Sequence, residues 1–305
     1  MRAVILSDWG GPEQVSLGEL KKPQAGTGEV LVEVRAAGVN PVDWKVREGQ
    51  ARDFFEFHLP QAMGGELSGV IVGLGDGVDD FQVGDEVHGA IGPMGAFAEF
   101  AAVKAGSLAR KPGNLSFEEA AALPNAAVTA VAALDAGAVG KGTRVLIHAA
   151  AGGVGSIAVQ LAKVRGAEVT GMASPDHKDF VASLGVDHVI DRTTAYDNFL
   201  RDYDMVLDAY GPEAQARTWK ALKPGGIMVS LVSPPSEETA GEHGVRATMV
   251  VANPEGRILA DVDRHVAAGE IRPRVTRTYP LERALEAIAE VEAGNVCGKV
   301  VLTLS

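Results

Sequence analysis

The sequence predicts an α/β protein: a doubly wound parallel sheet accompanied by a second, β-rich domain. Three observations predict it. After about residue 120, short apolar runs alternate with helical patterns, the rhythm of parallel strands with helices on both faces. Before that point the chain reads as short strands and glycine turns, as in Val30-Leu-Val-Glu-Val-Arg-Ala, which alternates with period two. A length of 305 residues leaves room for about two domains.

In order, the first third continues with Gly69-Val-Ile-Val-Gly-Leu-Gly-Asp-Gly, a strand running into a turn. Val83-Gly-Asp-Glu-Val-His-Gly and Gly95-Ala-Phe-Ala-Glu-Phe-Ala-Ala-Val add further short strands. Strands are then expected at 144–148, 168–172, 187–190, 204–208, 226–232 and 245–251, with helices near 154–165, 176–184, 194–201 and 213–222. An amphipathic helix near 254–268 carries Ile258, Leu259, Val262 and Val266. A strand near 274–279, a helix over 281–293 and a last strand, Gly298-Lys-Val-Val-Leu-Thr-Leu, follow. That last strand is expected to rejoin the β-rich domain. The expected domains are therefore 1–120 completed by 268–305, with 121–267 inserted between them. Pro234-Pro-Ser-Glu-Glu-Thr reads as a mobile loop.

The most informative stretch is 145–161, Val-Leu-Ile-His-Ala-Ala-Ala-Gly-Gly-Val-Gly-Ser-Ile-Ala-Val-Gln-Leu. An apolar run ends in a glycine cluster and a helical pattern starts at once. Ile157, Leu161 and Val164 recur at helical spacing, and Gly166 falls where a C-cap belongs. This is the strand–turn–helix of a dinucleotide site. Gly152 and Gly153 let the backbone approach a pyrophosphate, Gly155 lets the helix pack on the strand, and free N–H groups face the charge. Ala150 stands at the first glycine of the G-x-G-x-x-G pattern. Ala151 and Val154 of the turn, and Leu231 near the end of the fifth strand, are counted with the cofactor-binding residues.

Composition narrows the function. A net charge of −12 argues against a nucleic-acid or anionic-membrane surface as the main role, because both need clustered Lys and Arg. The opening Met1-Arg-Ala-Val-Ile-Leu-Ser-Asp-Trp turns polar too soon for a signal peptide. The alanine-rich stretch 120–139 is broken by Pro124, Asn125 and Asp135 and is not a membrane span. Cys297 is the single cysteine, so no internal disulfide or multi-cysteine zinc site can form, which fits a reducing cytoplasm.

Several segments together carry a family resemblance. They are Asn40-Pro-Val-Asp-Trp-Lys, Phe81-Gln-Val-Gly-Asp-Glu-Val, Leu123-Pro-Asn-Ala-Ala-Val-Thr-Ala, the glycine turn, Leu222-Lys-Pro-Gly-Gly and Gly298-Lys-Val-Val-Leu. In number and order they resemble the zinc-independent quinone oxidoreductase group of the medium-chain dehydrogenases/reductases, over nearly the whole chain. The resemblance implies a GroES-like domain, a Rossmann domain, and NADPH-dependent reduction of quinones or α,β-unsaturated carbonyls. It also implies that Asn40 and Thr129 lie near the nicotinamide. Zinc-dependent relatives have a Cys just after the first long strand and a His in Gly-His-Glu. Here the stretches read Gly38-Val-Asn-Pro and Gly64-Gly65-Glu66. His58, His88 and His148 are read as surface or core residues. Without zinc there is no Lewis acid to ionise an alcohol, so substrates activated by their own carbonyl are favoured.

An NAD site has an acid at the tip of the second strand. This one ends Val169-Thr-Gly-Met-Ala-Ser174, and Ser174, His177, Lys178 and Arg192 are the candidate 2′-phosphate pocket. Asp176 dissents, or serves as a helix first-turn acid. Many relatives place a Tyr after Asn-Pro-x-Asp, but Trp44 and Lys45 follow here. Lys45 is the candidate for binding the cofactor or stabilising enolate charge, with a solvent-facing lysine as the plain alternative. Asp43 orients Lys45 or holds the turn, and either water or a side chain supplies the last proton. Phe54, Phe55 and Phe57 form either a lid over an apolar substrate or ordinary packing. Gly155-Ser156 does not open a G-x-S-x-G nucleophile elbow, because Ala158 follows Ile157. A non-catalytic NADPH-binding protein is the other open reading. The β-prone run at 246–251 marks an edge through which a homodimer would form.

Overall fold

The computed structural model describes residues 1–53, 55–251 and 253–304. It divides into two compact units, Met1–Asn125 with Asn253–Gly269 and Pro273–Ser305, and Ala126–Ala252 with Glu270–Arg272.

The first unit is β-rich. Its main sheet runs Val275–Pro280, Lys299–Thr303, Glu29–Val39, Glu66–Leu74, Glu86–Ala90 and Leu108–Arg110, with Phe100–Lys104 also paired to Glu29–Val39. In the 11-residue strand Glu29–Val39, the alternate residues Val30, Val32 and Val34 are buried, and the strand feeds a core holding Leu67, Ile71, Val87, Phe97 and Leu302. The last strand, Lys299–Thr303, lies antiparallel to residues 36–39, as the sequence suggests. A three-stranded sheet of Val15–Glu19, Arg2–Leu6 and Gln61–Ala62 flanks it.

The second unit is a six-stranded parallel sheet in the order His188–Asp191, Glu168–Ala173, Arg144–Ile147, Tyr203–Asp208, Leu222–Ser230, Arg246–Met249. Counted along the chain, this is the 3-2-1-4-5-6 order of a Rossmann sheet, whose direction reverses between Arg144–Ile147 and Tyr203–Asp208. In sheets of this order, ligands bind beyond the carboxyl ends of the two strands at the switch point.

Three expectations give way. The helix expected at 194–201 is only a 3-10 turn, Tyr196–Asn198. The Asp191 carboxylate takes the Thr193 N–H and Thr194 Oγ1 donates to the Asp191 carbonyl, so local bonds compete with the helix, and Asp202 has φ +66. The segment from Pro234 is partly helical: Ser236 accepts from Thr239 N at 3.1 Å and starts Glu237–Glu242. The amphipathic helix Gly256–Ala267 groups with the first unit instead of the nucleotide unit. Gly256 brings its backbone onto Leu108, where any Cβ would collide with the Leu108 carbonyl. Asp263 reaches His88 at 3.0 Å, and Asn114 Nδ2 donates to Val266 O at 2.8 Å. An amphipathic pattern shows that a face is buried, but not against which sheet.

Candidate nucleotide and hydride-transfer site

In the second unit, the strand Arg144–Ile147 enters the turn through His148 and Ala149, the latter in the left-handed region at φ +47. The helix Gly153–Val164 follows directly, with Gly152 as its N-cap. A Cβ on Gly155 would run into the Ala149 carbonyl and crowd Ala150 Cα at 2.9 Å, so only glycine lets the helix start this close to the strand. Its first N–H groups have no partner within the helix and lie where an anion is held. The residues present fit a dinucleotide. Ala151 is buried, while Gly152, Gly153 and Val154 are half-buried on the turn.

Behind the turn lies a buried polar network. Asp208, at the end of the fourth strand, faces His148 Nδ1 at 3.2 Å and accepts from Gln215 Nε2 at 2.8 Å and Ser230 Oγ at 2.9 Å. The backbone N–H groups of Tyr210 and Gly211 both donate to it at 3.0 Å. Burial works to raise its pKa, but the bonds from His148, Gln215 and Gly211 outweigh it and hold the carboxylate at about 2. Such a carboxylate requires a proton on His148 Nδ1. The His148 ring also stacks on Tyr210, with centroids 5.4 Å apart. Leu231 N donates to Asp208 O, which places Leu231 beside the same strand end.

The candidate phosphate pocket surrounds the tip of the second strand, Glu168–Ala173. Ser174 Oγ and His177 Nδ1 are 3.1 Å apart, and Arg192 N donates to Ala173 O at 2.9 Å. Lys178 starts the helix Lys178–Ser183, and Asp176 lies exposed in the preceding 3-10 turn. Thr129, half-buried on the helix Pro124–Ala136, belongs to this unit, whereas Asn40, Asp43 and Lys45 belong to the first.

In the first unit, Glu29–Val39 delivers the chain to Asn40, the N-cap of helix Pro41–Arg47. Asp43 Oδ2 accepts from Asn40 N at 2.7 Å. Asp43 Oδ1 is buried with no partner among the described residues. Burial raises this carboxyl to about 7, against the Asn40 N–H and Lys299, which lower it. Lys45 is half-buried, its Nζ 5.6 Å from the Trp44 ring. Arg47 is clamped to both oxygens of Glu292 at 3.1 Å, which fixes the helix against Ala284–Ala293.

Two residues missed from the sequence complete this cluster, Glu66 and Lys299. Lys299 Nζ donates to Glu66 Oε1 at 2.6 Å, to Val39 O at 3.0 Å and to Asn40 Oδ1. Asn40 Nδ2 donates to Glu66 Oε1 at 2.8 Å, and Asn125 N donates to Glu66 Oε2 at 2.8 Å. Glu66 is wholly buried and Lys299 nearly so. Each stands at the head of an apolar strand, Glu-Leu-Ser-Gly-Val-Ile-Val and Lys-Val-Val-Leu, and that is the signal that points to them.

At Gly38 a side chain would collide with Glu66 Oε1 and the Ala121 carbonyl, and at Gly65 with the Gly92 carbonyl. Among the described residues no three His, Cys, Asp or Glu side chains group as a metal site. His58 is exposed beside Glu56, His88 is buried between Ala120 O and Asp263, and His148 faces Asp208. Of the aromatic cluster, Phe54 lies outside the described residues. Phe57 packs edge-on to Trp9 at 5.1 Å against the core, and Phe55 is exposed.

Comparison with known proteins agrees with this geometry. Residues 26–113 match the alcohol dehydrogenase GroES-like domain, and residues 184–302 match the zinc-binding dehydrogenase family. The chain is 36% identical to the chloroplastic NADPH-dependent alkenal/one oxidoreductase of Arabidopsis thaliana, over 99% of this chain and 79% of that protein. It is 34% identical to 2-methylene-furan-3-one reductase of Solanum lycopersicum, over the same shares. The quinone oxidoreductase from Coxiella burnetii superposes with a TM-score of 0.91 at 30% identity, covering 100% of this chain and 99% of that one. The protein is thus a two-part dehydrogenase with a GroES-like and a Rossmann unit. Within that class, it belongs to the quinone and enone reductase group of the medium-chain dehydrogenases/reductases.

Proposed function

We propose that the protein is an NADPH-dependent oxidoreductase that delivers a hydride to a quinone or an α,β-unsaturated carbonyl, and that it does so without zinc. The observation that carries this is the strand–turn–helix at Gly155, which only glycine permits, beside a strand tip with basic residues and no acid of its own. One relative is named an NADPH-dependent alkenal/one oxidoreductase, and others are named a 2-methylene-furan-3-one reductase and a quinone oxidoreductase. Asn40 in place of a Cys just after the strand Glu29–Val39, and the steric closure at Gly65, support zinc independence.

NADPH supplies the hydride, and the protein supplies binding, orientation and electrostatics. The turn 151–155 holds the pyrophosphate, with Thr129 and Leu231 as further cofactor contacts. Ser174, His177, Lys178 and Arg192 read the 2′-phosphate. Asn40 has its side-chain oxygen and one Nδ2 proton committed to Lys299 and Glu66, so it acts by shaping the helix start that presents Lys45. Lys45 steadies negative charge as a substrate carbonyl becomes an enolate, and water supplies the last proton. Asp43 is a positioning residue through its bond to Asn40 N.

The test is NADPH oxidation with a panel of quinones and enones, before and after dialysis against a chelator. Tight NADPH binding with no turnover would instead favour a non-catalytic nucleotide-binding role. Lys178→Ala is expected to weaken NADPH about tenfold and leave NADH nearly unchanged, as the loss of one charge-assisted contact. A homodimer is proposed through the edge strand Arg246–Met249, which among the described residues pairs only with Leu222–Ser230 and leaves Met249 and Val251 exposed. Light scattering checks it. No helix among the described residues is long and apolar enough to cross a membrane, and a cytoplasmic location is proposed from the single cysteine.

A further inference from the structure

The acid missing from the tip of the second parallel strand has a counterpart one strand away. The parallel register sets Asp191 beside Ala173, and Arg192 N closes the pair on Ala173 O. Neighbouring strands lie about 4.8 Å apart, so Asp191 and Arg192 flank the place where a dinucleotide's adenosine ribose is read. The Asp191 carboxylate is built in: Oδ1 accepts from Thr193 N at 2.9 Å and Thr193 Oγ1 at 2.7 Å. Those Thr193 bonds, aided by the charges of Lys178 and Arg192, hold it below the usual carboxylate range. Neither cation forms an ion pair among the described residues, and the Arg192 guanidinium leans towards the Tyr210 ring at 5.9 Å. The pocket therefore sets Lys178 and Arg192 against the fixed Asp191, with Asp176 exposed in the preceding turn.

We propose that Asp191 is a specificity-determining residue for the nucleotide, limiting the preference for a 2′-phosphate and letting the same pocket accept a 2′-hydroxyl. A 2′-phosphate is drawn by Lys178 and Arg192 and repelled by Asp191, whereas a 2′-hydroxyl finds an acceptor in the carboxylate. The inference rests on the reading of Lys178 and Arg192 as the phosphate pocket.

Dissociation constants for NADPH and NADH, measured by quenching of protein fluorescence, test it in the wild type, Asp191→Asn and Lys178→Ala. Asparagine keeps the acceptor for Thr193 and removes the charge. Asp191→Asn is expected to tighten NADPH about two- to fivefold, the size of one partly screened charge, and to weaken NADH. The gain for NADPH should shrink as salt is raised. Asp191→Ser, a second neutral variant, should move the ratio the same way. An unchanged NADPH:NADH ratio in both Asp191 variants, with NADPH weakened in Lys178→Ala, would overturn the role of Asp191 and leave the pocket standing. NADPH binding unaffected by Lys178→Ala would remove the pocket itself, and the inference with it.

Discussion

Replacing Asp43 by asparagine should make the protein more stable at alkaline pH, contrary to the usual cost of altering a buried polar group. Asp43 is fully buried, and among the described residues its carboxyl accepts one hydrogen bond, from Asn40 N to Oδ2. Its carboxyl sits at about 7 in the folded state against an ordinary 3.8. A raised folded-state pKa means that the native chain holds the proton more tightly than the unfolded chain. The stabilisation is complete below about pH 4 and is lost as pH rises to 7. Between pH 5 and 8 the native carboxyl ionises at a cost of about two pKa units, or about 3 kcal/mol at ~1.4 kcal/mol per unit. An asparagine side chain in its place would keep the acceptor for Asn40 N and never ionise. Urea unfolding of the wild type and Asp43→Asn at pH 5 and pH 8 measures this. The difference between the two proteins should move in favour of the variant by about 3 kcal/mol over that range. Parallel pH profiles would refute the reasoning, because they would mean that Asp43 is ionised in the folded protein or is reached by water.

Gly155→Ala should abolish tight NADPH binding and lower the melting temperature by several degrees, because its Cβ has no room against the Ala149 carbonyl. Gly152→Ala, whose Cβ would stand 3.3 Å from the same oxygen, should melt close to the wild type, as a thermal scan of both would show. Lys299→Met strands the buried Glu66 carboxylate and should cost about 3–5 kcal/mol in denaturant unfolding. Adding Glu66→Gln to it should restore part of that loss, and a purely additive double variant would contradict a direct pair.

The parts of the molecule written in local sequence were legible. The glycine turn and the order of strands from Arg144 to Met249 follow from patterns within a dozen residues, and they appear in the structure in the expected order, apart from the helix expected at 194–201. What depends on distant partners was not. Lys299 and Glu66 are 233 residues apart, and each by itself is only a charge at the start of a strand. Asp191 does not stand out in the sequence because parallel pairing, not sequence proximity, brings it beside Ala173. For Asp43 the sequence admits two roles, orienting Lys45 or holding the turn. The bond that Asp43 accepts from Asn40 N is visible only in the fold.

The pairing of Lys299–Thr303 with residues 36–39 has a consequence for the order in which the chain can assemble. Lys299 and Val39 are 260 residues apart, so during synthesis the early strand waits with the edge at Ala36–Val39 open until Lys299–Thr303 has emerged. The nucleotide unit is almost continuous in sequence and can complete its sheet before that. A ribosome stalled before Gly298 would therefore carry a finished Rossmann sheet and a β-rich unit with one edge unfinished, a template for pairing with another chain. Chaperone capture and aggregation of the nascent protein should concentrate in that interval, and shorten to nothing once the final strand is released.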